Sequence, residues 1–147
     1  MTISVGSDHA GFEYKEAIKS LLLADGYTVL DVGTDGTASV DYPDFGVAAA
    51  RLVANGDADA GIIVCGSGIG ISIAANKVNG IRAANVTSVE MAALARKHNN
   101  ANMLAVGSRI NTLEDALAMV KTFLGTSFEG GRHEQRVEKI HTLGDIH

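Results

Sequence analysis

A chain of 147 residues, 46% apolar and 20% charged, has the makeup of one globular domain, 1–147, which excludes a disordered or low-complexity array. A formal net charge of −5 excludes a general nucleic-acid binder, which needs a basic face, but leaves room for a small anion held by a few local arginines. One cysteine excludes an internal disulfide framework and fits a reducing, cytoplasmic setting.

Met1 leads straight into a strand-like stretch, 2–6, with no basic or apolar leader, so no signal peptide is expected. Asp8 and His9 follow that strand. They read either as a turn in which Asp8 caps a helix near Gly11, or as a hydrogen-bonding carboxylate beside a phosphate-binding imidazole. Phe12, Ala17, Ile18, Leu21 and Leu22 mark one face of a helix, and a second strand is expected over 27–32. Pro43 suits the first turn of a helix running to about Ala54.

The third strand, 60–65, is continuously apolar, as in a sheet covered on both faces. The uncharged run from Ala60 up to Lys77 approaches membrane-spanning length, but glycines interrupt it and its period changes midway. It reads as a buried strand followed by a helix, with no membrane partner. Further strands are expected over 80–86 and 102–107. Thr87 with Glu90, and Asn111 with Glu114, have the spacing of capping boxes, and a last helix is expected from about Gly131 to Leu143. Strands alternating with helices imply right-handed crossovers and a parallel sheet between helical layers. In such a fold ligands sit beyond the carboxyl ends of the strands, where Ser7-Asp8-His9, Cys65 to Gly70 and Gly107-Ser108-Arg109 all fall.

Cys65 ends the most apolar strand and runs into a glycine-rich turn. It reads either as a structural buried thiol or as a reactive one, since the positive end of a helix dipole favours negative charge on sulfur. The backbone of Gly66, Ser67, Gly68, Ile69 and Gly70 offers a nest of N–H donors for an anion. It is not a dinucleotide fingerprint, because Ile71 stands where a further glycine or alanine belongs, and no Gly-Lys-Ser/Thr makes it a P-loop. His98 sits in the basic cluster Arg96-Lys97-His98 at a helix end, which suits either dipole complementation or a general acid or base. Arg132 and Arg136, four apart, present two guanidinium groups on one helix face, either solvated or converging on a phosphate. His133, His141 and His147 read as surface residues, and no set of ligand residues has metal spacing, so no metal is expected.

Taken together, Gly6 to Phe12, Asp41-Tyr42-Pro43, Cys65 to Lys77, Gly80-Ile81-Arg82-Ala83, His98-Asn99, Gly107-Ser108-Arg109 and Glu129-Gly130-Gly131-Arg132-His133 closely resemble the ribose-5-phosphate isomerase B family. That family also contains galactose-6-phosphate isomerase subunits. The resemblance implies a three-layer, Rossmann-like α/β/α sandwich of about five parallel strands, and a homodimer with active sites at the subunit interface. The implied reaction is aldose–ketose isomerisation of a phosphorylated sugar through an enediolate, without a cofactor. Cys65 then matches the base that moves a proton between C1 and C2, and His98 the group that helps open the sugar ring. Ser67 falls beside the reacting oxygens, the backbone from Gly66 through Gly68 and Ile69 to Gly70 matches the anion hole, and Asp8 matches a ring-oxygen and hydroxyl contact. His9, Arg109, Arg132 and Arg136 match phosphate and substrate contacts, and Asn99 a substrate-binding amide. Isomerisation of galactose, allose or tetrose phosphates, and a non-catalytic sugar-phosphate-binding module, are the rival expectations.

Overall fold

A computed structural model describes residues 1–143. Five strands, β1 (Thr2–Ser7), β2 (Thr28–Asp31), β3 (Ala60–Cys65), β4 (Ala83–Asn85) and β5 (Met103–Gly107), form one parallel sheet in the order β2-β1-β3-β5-β4. Six helices accompany them: α1 (Phe12–Ala24), α2 (Tyr42–Ala54), α3 (Ile69–Asn76), α4 (Val89–Lys97), α5 (Leu113–Gly125) and α6 (Arg132–Thr142). One face of the sheet packs Ile3, Val5, Ile62 and Val64 against Ile18 and Leu22 of α1, Ala92 and Ala95 of α4, and Met119 and Phe123 of α5. The other packs Ile63, Cys65, Met103 and Ala105 against Ala49 and Ala50 of α2 and Ile71 and Ala75 of α3. The three-layer parallel fold expected from the alternating pattern is therefore present.

β3 lies at the centre and all six of its residues are buried, which is why its sequence is apolar without alternation. The chain leaves β1 toward β2 and returns on the other side as β3. The order thus reverses between β1 and β3, and a crevice is expected beyond their carboxyl ends.

Local departures from the sequence reading have local causes. The strand expected over 80–86 contracts to Ala83–Asn85 because side chains take the backbone groups before it. Arg82 N–H donates to Asn102 Oδ1 and Ala83 N–H to Asn76 Oδ1. The helix caps fall one residue later than the capping-box spacing placed them. Ser88, not Thr87, caps α4 by accepting from Met91 N–H, and Thr112, not Asn111, caps α5 by accepting from Asp115 N–H. In both, the hydroxyl at the capping position reaches the amide three residues on, so one turn is satisfied by the nearer side chain.

The buried face of α1 includes Lys15, 2% exposed, which helical spacing alone would give to an apolar residue. Its Nζ bonds both oxygens of Asp31, at 3.1 and 2.8 Å, and the carbonyl of Thr34, while Glu16 lies at 2.9 Å. For Lys15, burial opposes the charge, but the Asp31 and Glu16 contacts outweigh it and raise its pKa. For Asp31, burial likewise opposes the charge, and Lys15, the Gly33 amide and Lys19 overcome it and lower its pKa. The pair staples α1 to β2.

Candidate active site

Cys65 ends β3 opposite Gly107 of β5, and its backbone carbonyl accepts from Ser108 N–H at 2.9 Å. Arg109 N–H donates to Gly66 O, so the loops after β3 and β5 are laced together by main chain. The thiol is 4% exposed, and its Sγ accepts from the backbone N–H of Gly68 at 3.2 Å. The sulfur therefore addresses the loop, with a donor already aimed at negative charge on it.

That geometry demands glycine. Gly68 has φ 79°, and a Cβ there would lie 2.5 Å from Asn85 Oδ1 and 2.9 Å from the Val106 carbonyl carbon. Asn85 Oδ1 is buried without a hydrogen-bond partner, so a polar atom backs the loop from β4. A Cβ on Gly70 would strike the Tyr42 ring at 2.5 Å, so Tyr42 lies across the loop. The Arg109 side chain lies against Gly66, its Nη1 3.2 Å from where a Cβ would stand. Ser67 Oγ accepts from Ile69 N–H, which fixes that hydroxyl at the N-terminus of α3.

The loop after β1 completes this edge. Asp8 is 6% exposed and its Oδ1 accepts from Gly11 N–H at 3.0 Å, so it does cap the turn while its Oδ2 stays uncommitted among the described residues. His9 Nδ1 accepts from Val40 N–H at 3.1 Å. An accepting Nδ1 leaves the neutral ring's proton on Nε2, a donor suited to a phosphate or hydroxyl oxygen. Asp8, His9, Cys65, Ser67, the Gly66–Gly70 backbone and Arg109 are thus gathered at one edge of the sheet.

The remaining residues singled out from the sequence lie elsewhere. α4 starts at the carboxyl edge and runs back, and Asn102, four residues beyond His98, leads into Met103, the partner of Gly61 at the start of β3. His98 and Asn99 therefore occupy the amino edge, a strand's length from Cys65, roughly 15–20 Å. Arg132 and Arg136 are with them, exposed on α6, because Glu129 N–H donates to Lys97 O and ties the start of α6 to the end of α4. A cavity of about 790 Å³ lined by Lys77, Arg82, Asn99, Ile140 and His141 opens beside this second group, not over Cys65.

His133 is not the surface residue its sequence context suggested. It is 7% exposed, and its ring stacks on His98 with centroids 4.3 Å apart and planes 13° from parallel. Burial, His98 and Arg132 hold its pKa below the ordinary histidine value, against the pull of Glu129. Glu129 Oε1 lies 3.9 Å from His98 Nε2 and 3.8 Å from His133 Nε2. The fold thus brings together three metal-capable side chains that sequence spacing could not register, their donor atoms within 4.8 Å. Nearly parallel rings cannot aim both in-plane lone pairs at one ion, so the arrangement suits protons better than a metal. His141 is exposed as expected, whereas His147 lies outside the described residues. Among the described residues no helix is long and apolar enough to cross a membrane.

Comparison with known proteins extends this picture. The family model described as "Ribose/Galactose Isomerase" matches residues 3–140. Ribose-5-phosphate isomerase B of Escherichia coli strain K12 is 48% identical over 138 residues, covering 94% of this chain and 93% of that protein. Galactose-6-phosphate isomerase subunit LacB of Clostridium acetobutylicum is 43% identical, covering 95% and 80%. The solved structure of Clostridium thermocellum ribose-5-phosphate isomerase B superposes with a TM-score of 0.97 at 51% identity, covering 99% of both chains.

Proposed function

The chain belongs to the ribose/galactose isomerase family, and from that premise we propose that it interconverts ribose 5-phosphate and ribulose 5-phosphate through an enediolate, with Cys65 as the base. The observation that carries this is the Cys65 sulfur accepting the Gly68 amide at the mouth of a glycine nest. It supplies in one place a base and the donors that enediolate oxygens require.

The chemistry runs in two stages. To open the furanose, His98 Nε2 gives a proton to the ring oxygen as the bond from C1 to that oxygen breaks. The anomeric hydroxyl gives its proton to Asp8 and becomes the aldehyde. Cys65 thiolate then takes the proton from C2. The C2–H electrons form the C1–C2 double bond and the carbonyl electrons move onto O1, where the loop amides hold the charge. The thiol returns the proton to C1, and the C2 hydroxyl proton passes to O1 beside Ser67, leaving the ketone at C2. C1 is reduced as C2 is oxidised within the same molecule, so the reaction calls for no external redox cofactor. Each well-aimed amide lost from such a hole costs about 3 kcal/mol of transition-state stabilisation.

We further propose that the working site is shared by two copies. Cys65 and His98 stand at opposite edges of one chain. A two-fold dimer places the carboxyl edge of each chain against the amino edge of the other, so each site takes His98, Asn99, Arg132 and Arg136 from its partner. Ile69 and Ile73 on α3, 55% and 59% exposed beside the loop, and Leu94 on α4 supply apolar surface for that contact. The paired guanidinium forks would then close on the phosphate with His9 and Arg109. A thiol that works as a base needs a reducing compartment, which favours the cytoplasm.

Assays of Cys65→Ala test this reading. Turnover of ribose 5-phosphate should fall by about 10² or more; near-wild-type turnover would remove the proposed base. Likeness to the LacB subunit favours a second reading, a hexose 6-phosphate substrate. Side-by-side kcat/KM values on pentose, hexose and tetrose phosphates decide between them.

A further inference from the structure

His98 is not free to choose its orientation. Glu129 N–H donates to the carbonyl of Lys97, the residue before His98, and so locks the segment ahead of α6 to the end of α4. Gly130 and Gly131, with φ 70° and 55°, reverse the chain there as only glycine does readily, and His133 N–H donates to Gly130 O. That turn delivers the His133 ring flat against His98 and leaves the Glu129 carboxylate facing the Nε2 edge of both rings. His133 is buried, so its ring is the platform, and His98 is the more open partner, its side chain 39% exposed.

We propose that Glu129 and His133 are positioning residues for His98: His133 fixes the plane of its ring, and the Glu129 carboxylate, 3.9 Å from its Nε2, orients that edge. This deepens the reading of His98 as the ring-opening acid and rests on it. An imidazole that must hand a proton to a ring oxygen needs its donor nitrogen turned toward the sugar, and a carboxylate beside that edge attracts its N–H and limits how the ring can turn. The buried platform keeps the ring from rotating away, at the cost of placing a second imidazole beside it. Arg132 and Arg136 on α6 disfavour charge on the stacked His133 ring, whereas Glu129 favours it.

The test uses the fact that only a cyclic substrate needs ring opening. Ribose 5-phosphate closes through its C4 hydroxyl, whereas in erythrose 4-phosphate that oxygen is esterified and the sugar stays open. In the full-length protein, Glu129→Gln and His133→Gln should each lower kcat on ribose 5-phosphate by about tenfold with KM little changed, through a misplaced donor. On erythrose 4-phosphate they should change turnover by less than about twofold, and neither should lower activity further in a His98→Ala background. His133→Phe, which keeps a flat ring, should recover part of the loss. Glu129 is 52% exposed, so Gln there leaves folding intact.

Equal losses on both substrates, or losses that add to His98→Ala, would overturn the proposal. Nitrogen NMR of the imidazoles gives a second arm that does not depend on turnover. The His98 ring-nitrogen shifts should move in Glu129→Gln and in His133→Gln, and unchanged shifts overturn the positioning role. Moved shifts, with His98→Ala hitting both substrates alike, would instead overturn ring opening by His98 and leave the positioning standing.

Discussion

Gly68→Ala probes the loop most sharply, because two independent costs meet at one atom. A φ of 79° costs a residue with a Cβ about 1–2 kcal/mol. The new Cβ would stand 2.5 Å from Asn85 Oδ1 and 2.9 Å from the carbonyl carbon of Val106. Val106 is backbone of the buried strand β5 and cannot swing aside, so strain of the kind seen on overpacking adds about 1–3 kcal/mol. A loss of roughly 3 kcal/mol follows, or a shift of the loop that relieves it. A shift carries Gly68 N–H away from the Cys65 sulfur, and kcat should then fall by about 10² to 10³, the loss expected when a single preorganised donor is removed. Urea unfolding followed by circular dichroism measures the first effect and steady-state isomerisation the second. A variant as stable and as active as the parent would refute the argument, since it would mean that the loop in solution does not hold Gly68 in this conformation.

Asp31→Asn leaves Lys15 buried with Glu16 as its remaining carboxylate. It should destabilise the fold by about 2 kcal/mol, less than for a fully buried pair because Asp31 keeps 19% of its side chain exposed. Asp31 titrates below its ordinary 3.8 in the folded chain and Lys15 above its ordinary 10.5, so the pair stabilises fully between those values. The advantage over Asp31→Asn should shrink as pH falls through the depressed Asp31 value, and the Lys15 share should fade as pH rises past its raised one; unfolding curves across pH would show both. Arg132→Ala with Arg136→Ala should chiefly raise KM for the sugar phosphate, by about tenfold or more, while leaving melting unchanged because both side chains are exposed. An unchanged KM would remove them from the phosphate site.

The layered fold was legible because each signal was local: the unbroken apolar run of β3, the helical spacing of α1, the proline opening α2. The position of the candidate loop was legible for a related reason, since a strand end followed by spaced glycines fixes both place and conformation. The caps at Ser88 and Thr112 were misjudged by one residue because neighbouring hydroxyl and amide side chains compete for the same role, and only backbone dihedrals decide between them. Lys15 was missed because its partner lies across a helix–strand contact that no periodicity records. His133 was missed for the same reason at longer range: stacking on His98 depends on the Gly130–Gly131 turn and on a backbone bond from Glu129 to Lys97. Individual residues declared themselves, but which of them share an edge of the sheet required coordinates.

The sharing of one site by two chains is tested most directly by mixing two inactive variants, Cys65→Ala and His98→Ala. Subunit exchange at equal amounts makes half the dimers mixed, and each mixed dimer regains one site with both groups intact. Activity on ribose 5-phosphate should therefore return to about a quarter of the parent value. Mixtures that stay as inactive as the separate variants, despite proven exchange, would contradict a site built from Cys65 of one copy and His98 of the other.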